Sequence, residues 1–308
     1  MRLEGIHHIT AITGDAPRNL DFYTRVLGLR LAAKTVNQDD PSVYHLFYAD
    51  EQGRPGSELT FFEYPGAAPG RPGAGMVHRI VWRVDSGGDR LLGPAYRGRR
   101  ARDGARPGPA PLCRPGGSAA RAGDHGGRRR AAAGRASRHP EHLALQGFEG
   151  VRAYSAAPAS SAPVLERILG ATRQGDTTYE LRGDRRGSFI AYDAPPVDGE
   201  RPRQGAGSVH HVAWGTTQQE HPQWHEHLTR AGVPNSGIVD RHYFHSIYFR
   251  EPSGVLFEIA DDGPGFTVDV PLDQLGSKVI LPPQLEQQRE AIEARLTPLP
   301  DPRAARVG

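Results

Sequence analysis

Gly5-Ile6-His7-His8-Ile9-Thr10 and Ser208-Val209-His210-His211-Val212-Ala213 repeat one pattern early and late in the chain. Each sets a His-His pair inside an apolar, β-branched run, which reads as a strand. The later pair is followed by Tyr248-Phe249-Arg250-Glu251-Pro252-Ser253-Gly254-Val255-Leu256-Phe257-Glu258-Ile259, which predicts a hairpin whose return strand carries a carboxylate among apolar side chains. Two histidines and one glutamate on neighbouring strands are the donor set of a facial metal triad with open coordination positions. Pleating turns adjacent side chains to opposite faces, so His7 and His8 are not expected to bind the same ion. One member of each pair should face the metal, while the other holds a hydrogen bond behind it or touches substrate. His8 and Thr10, two apart, share a face.

Around these pairs a longer unit recurs. Ile6 to Thr13 is a strand, Asp15 an N-cap with Pro17 in the first turn, and Leu20, Phe22, Tyr23, Val26 and Leu27 follow at helical spacing up to the stop at Gly28. Val43 to Ala49 and Glu58 to Tyr64 then read as strands, giving the form β-α-β-β-β. Further openings stand at Met76 to Val84, Val151 to Tyr154 and Val209 to Trp214, with helices over Ala162 to Leu169 and Gln218 to Arg230. The expected fold class is α+β: four βαβββ units paired into two domains, the second unit disrupted over 86–138. The expected division is an N-terminal domain 1–138 (units one and two), a C-terminal domain 139–265 (units three and four) and an extension 266–308.

The second unit lacks its remaining strands. From Ser86 to Arg138 there is no Val, Ile, Phe, Trp, Thr, Glu or Lys, and Arg, Gly, Ala and Pro dominate. A basic linker is one reading of that composition. The sharper one is a GC-rich gene read out of frame between two compensating frameshifts, with ordinary sequence resuming near His139-Pro140-Glu141-His142. The segment holds 13 arginines against Asp89, Asp103 and Asp124, although the whole chain carries only +3. Basicity is thus local and the remainder mildly acidic, which argues against a nucleic-acid partner. No apolar run is long enough for a membrane helix, no signal-peptide pattern opens the chain, and Cys113 is the single cysteine, so a cytoplasmic location is expected.

A glutamate in the run Val255-Leu256-Phe257-Glu258-Ile259 is costly to bury alone, and a divalent cation would offset that cost. Glu258 by itself would read more simply as an exposed edge residue. The His-His pair at the head of the same unit favours a ligand. Arg241 and Tyr248 are candidates for the same cleft, against readings as a turn arginine and a core tyrosine. His78-Arg79 and Arg152-Ala153 stand where the other two units would carry the pair, so only the first and fourth openings keep a histidine at its second position. One metal site is expected rather than two.

These residues and the repeated unit resemble the vicinal oxygen chelate superfamily, which holds glyoxalase I, extradiol dioxygenases and bleomycin-resistance proteins. Within it the chain is most similar to two-domain ring-cleaving dioxygenases that open hydroquinones. The resemblance covers most of 1–85 and 139–300, and it implies His8, His211 and Glu258 as metal ligands. It implies His7, Thr10, His210, Arg241 and Tyr248 as residues that touch substrate or stand behind the ligands. Fe(II), with Mn(II) as the alternative, would bind a hydroquinone- or catechol-type ring and O₂ side by side. His210 or His7 would take the hydroxyl proton, and Arg241 would stabilise anionic charge. The partners implied are a small aromatic substrate and O₂, with a homo-oligomer left open. Two other readings are a glyoxalase-type lyase or isomerase, for which a fourth protein ligand is missing, and a non-catalytic binding protein, which would lack the triad.

Overall fold

The computed structural model describes residues 1–84, 144–197 and 201–303. The first unit is complete: β1 (Ile6–Thr13), α1 (Ala16–Asp21), β2 (Arg30–Asn37), β3 (Asp40–Ala49) and β4 (Glu58–Glu63). Asp15 caps α1 by accepting from Arg18 N at 2.9 Å, and the helix widens into a π-type turn before Gly28, at φ 72°, ends it. β5 (Val77–Val84) opens the second unit. The anomalous stretch 86–138 lies outside the described residues. The third unit holds β6 (Leu145–Tyr154), β7 (Thr172–Arg173), β8 (Thr178–Arg182) and β9 (Gly187–Asp193). The fourth holds β10 (Val209–Thr216), α2 (His221–Arg230), β11 (Val239–Asp240), β12 (His245–Arg250) and β13 (Leu256–Asp261).

The expected mixed α+β architecture is present, but the units do not pair in chain order. One eight-stranded sheet runs β11-β12-β13-β10-β1-β4-β3-β2, and a five-stranded sheet runs β5-β6-β9-β8-β7. The first unit is therefore zipped to the fourth through the antiparallel pair β1/β10, and β5 of the second to the third through β5/β6. A division at 138/139 follows neither sheet. The physical reason is edge matching: the opening strand of each unit pairs with another opening strand, and adjacency in sequence does not enter.

β1 sits in the middle of the larger sheet and is buried at every position. One set of alternating side chains joins the main core around Ile9, Leu59 and Trp214. The other set, including His8 and Phe47, faces a concavity whose floor is a smaller apolar cluster of alanines and aromatics. The C-terminal extension lies against that floor. Phe266 packs on Phe47 and Tyr243 with ring centroids 4.8 and 4.9 Å apart, a pairing worth about 1 kcal/mol beyond the area it buries. Arg30 and Lys34, buried in β2, donate to Leu272 O at 2.6 Å and Ser277 O at 3.2 Å of the extension. No helix among the described residues is long and apolar enough to cross a membrane.

Candidate metal centre

β1, β10 and β13 are neighbours, and their register brings His8 opposite Ala213, and Ala213 opposite Glu258. His211 stands two residues before Ala213 on the same face. The three side chains converge: His8 Nε2 lies 3.2 Å and His211 Nε2 3.0 Å from Glu258 Oε2, with 3.3 Å between the two nitrogens. All three are buried. Ser246, two residues before Tyr248 on β12, donates to Glu258 Oε1 at 2.5 Å. The other oxygen, Oε2, has no well-formed hydrogen bond although it is buried. A buried carboxylate oxygen pointed at two imidazole nitrogens, with no proton well placed between them, has the chemistry of a cation site. Burial alone would raise the Glu258 carboxyl; His8 and His211 outweigh it and hold the group well below its usual range.

A second group, His7, His8 and Glu58, shares His8. Its two other members, His7 and Glu58, favour the neutral state. Burial lowers His7 to about 3 and raises the Glu58 carboxyl well above its ordinary value. A protonated carboxyl is a poor cation ligand, so the triad with Glu258 is the better site.

His7 departs from the strand-alternation expectation. The β1/β10 ladder passes from Ile6/Trp214 to His8/Ala213, leaving His7 as the extra residue of a bulge. Both rings then contact Phe244, and their Nδ1 atoms lie 3.0 Å apart. In the fourth unit His210 Nδ1 stands 2.8 Å from His211 Nδ1. Thr10 is fully buried, with its hydroxyl 2.7 Å from that of Thr60. Arg241 donates to both oxygens of Asp39 at 3.1 and 3.0 Å and to the Tyr248 hydroxyl at 3.3 Å. The Tyr248 ring lies 5.7 Å from that of His211.

A pocket opens over the triad. His8, His211, Arg241 and Tyr248 line it, while His7, Thr10 and His210 stand behind its wall. Its other walls include Thr35, His45, Phe47, Phe62 and Phe244, none of them singled out in the sequence. His45, Phe47, Thr60 and Phe62 alternate along β3 and β4, and that alternation was the one available signal.

The smaller sheet carries a counterpart. β6 and β9 pair with Tyr154 opposite Asp193, as Ala213 pairs opposite Glu258, so Arg152 and Asp193 occupy the places of His211 and Glu258. There a guanidinium supplies the positive charge. Arg152 forks onto both Asp193 oxygens, and His78 Nε2 lies 2.8 Å from Asp193 Oδ2.

Paired βαβββ units with a buried His-His-Glu centre on the concave face of a curled sheet define the class of protein. The chain belongs to the Glyoxalase/Bleomycin resistance protein/Dioxygenase superfamily, whose family pattern matches residues 5–90 and 151–259. It is 40% identical to a Bacillus subtilis protein named "Putative ring-cleaving dioxygenase MhqA", across 97% of this chain and 100% of that one. It is 30% identical to the chlorohydroquinone/hydroquinone 1,2-dioxygenase of Sphingobium indicum, across 94% and 95% of the two chains. A crystal structure described as a "putative dioxygenase" from Bacillus subtilis superposes with a TM-score of 0.81 at 33% identity, covering 97% of this chain and 98% of that one. A glyoxalase I mutant from Zea mays shares the fold at a TM-score of 0.55 and 14% identity, over 87% and 96% of the chains. These relatives support a dioxygenase role within the family.

Proposed function

We propose that the chain is an Fe(II)-dependent ring-cleaving dioxygenase acting on a dihydroxybenzene, with His8, His211 and Glu258 as the metal ligands. The observation that carries this reading is the buried Glu258 Oε2, without a well-formed hydrogen bond, facing two buried imidazole nitrogens beside a phenylalanine-lined pocket. The similarity to ring-cleaving dioxygenases supplies the reaction class. When bound, Fe(II) would supply a coordination site for a phenolate and the redox step with O₂ that an organic side chain cannot provide. Three protein ligands leave room for both, which is one ligand fewer than glyoxalase-type chemistry takes.

The chain's own residues do the rest. With Nε2 of His8 and His211 turned to Glu258, each ring keeps its proton on Nδ1. There it donates to His7 Nδ1 at 3.0 Å and His210 Nδ1 at 2.8 Å, fixing tautomer and ring orientation. Burial keeps His7 and His210 neutral, at about 3 and about 4, so each keeps its one free lone pair, on Nδ1, to accept that hydrogen bond. Arg241, ionised and braced by Asp39, presents positive charge at the pocket wall, where an anionic ring would be held. The aromatic lining excludes water and takes the ring's faces.

The test is oxygen uptake by anaerobically Fe(II)-loaded protein given hydroquinone and catechol in parallel, with His8→Ala and Glu258→Ala as controls. Uptake with a ring-opened product, lost in both variants along with bound iron, is expected. No uptake from folded, iron-loaded protein would sink the reading in favour of lyase or isomerase chemistry.

A further inference from the structure

Thr35 on β2 and His45 on β3 are direct cross-strand partners, and both line the pocket over the triad. They stand toward the edge of the large sheet, beyond β4, and the triad stands at its centre. His45 is fixed rather than mobile in its setting. Its ring lies against Phe47 and Phe62, with centroids 4.1 and 4.4 Å away, and Nε2 is 2.9 Å from the Thr60 hydroxyl. Thr60 continues to Thr10 at 2.7 Å, so a chain of hydrogen bonds ties His45 to the strand that carries His8.

That leaves His45 Nδ1 without a hydrogen-bond partner among the described residues. Thr35 is in the same position: it is 3% exposed, and its Oγ1 has no hydrogen bond. The Thr35 hydroxyl lies near the Tyr243 phenol without a well-formed hydrogen bond to it, and the Tyr243 proton goes to Asp269 at 2.9 Å. The other polar walls are spent internally. Arg241 is tied to Asp39, and Gln38 Nε2 donates to Arg241 O at 2.8 Å. A buried hydroxyl with no well-formed hydrogen bond costs free energy unless something bonds it, and the free His45 nitrogen on the same pocket wall can share the entering group.

We propose that Thr35 and His45 form a subsite for a second hydrogen-bonding substituent of the substrate, a phenolic hydroxyl on the far side of the ring from the triad. The pair provides a hydroxyl and one imidazole nitrogen, which together match a group that donates and accepts at once. Neither is charged, since burial holds the His45 imidazole well below its usual range, so a carboxylate or ammonium substituent is not served. The inference rests on the ring-cleaving reading and sharpens it: a 1,4-dihydroxybenzene reaches the triad and this pair together, whereas a catechol directs both hydroxyls to one side.

The experiment is anaerobic calorimetry of Fe(II)-loaded protein with hydroquinone, phenol and catechol, for the native chain and for His45→Phe, Thr35→Val and Thr35→Ser. Hydroquinone should bind about tenfold more tightly than phenol, the usual worth of one well-made hydrogen bond. His45→Phe and Thr35→Val should each lose most of that gap while phenol affinity stays within about twofold. Thr35→Ser, which keeps the hydroxyl, should retain it. Equal native affinities for hydroquinone and phenol would overturn the subsite and leave the aromatic reading standing, as would a gap that survives both disabling variants. Failure of the native protein to bind any of the three would defeat the aromatic reading and the subsite with it.

Discussion

Ser246 holds one oxygen of Glu258 and leaves the other to the histidines, so the direction of the carboxylate depends on a single hydroxyl. Ser246→Ala is expected to weaken metal affinity by about 10- to 100-fold without unfolding the chain, measured by competition against a chelating dye. Unchanged affinity would mean that packing alone orients Glu258. The histidines carry a pH prediction. His7 and His210 are lowered by burial to about 3 and about 4, whereas the unfolded chain takes up these protons near pH 6.5. Below that pH the unfolded state binds more protons, so stability falls as pH falls, by up to about 1.4 kcal/mol per pH unit for each histidine. Chelator-treated protein should therefore lose urea resistance between pH 7.5 and 5.5, and a flat profile would contradict neutral burial. The triad was legible because two His-His pairs and a glutamate stand out in apolar strands. Thr35, His45 and Ser246 were not, since a polar residue at an alternating position looks the same whether it faces water or a pocket. The close approach of His7 and His8 depends on a bulge, and nothing in Ile6-His7-His8 announces one.

At the level of elements, α1 was legible from its Asp15 cap and the stop at Gly28, as were most strands from alternation. β2 was not. Arg30-Leu31-Ala32-Ala33-Lys34-Thr35-Val36-Asn37 lacks alternation because every position is buried, and its charges are satisfied by carbonyls of a segment some 240 residues later. That docking makes Gly276 critical. It has φ +77°, and a Cβ there would stand 2.0 Å from Leu31 O. Gly276→Ala should cost about 2–4 kcal/mol in urea unfolding. Gly232, at φ +71° with nothing within 4 Å, isolates the backbone effect, and Gly232→Ala should cost only about 1 kcal/mol. Equal losses would show that the extension yields at no cost.

For the whole molecule, the repeat was legible but the partnership of units was not. Four openings with similar patterns allow several pairings, and edge complementarity chooses between them only in three dimensions. The outcome makes the two sheets unequal. Arg152 and Asp193 neutralise each other at the places that His211 and Glu258 hold in the larger sheet, so elemental analysis of metal-saturated protein should give one metal per chain and none in His8→Ala. A value of two would mean that Arg152 yields its place.

The seam between β1 and β10 also bears on how the chain is made. β1 is synthesised before the other strands of its sheet, and β4 covers one of its edges early. Its other edge waits until β10 has been synthesised, and the third proposed ligand arrives only with Glu258. That strand edge thus stands bare until the fourth unit has been made, a natural docking point for chaperones and for misassociation between nascent copies. Pairings this distant in sequence also place the chain among slow folders.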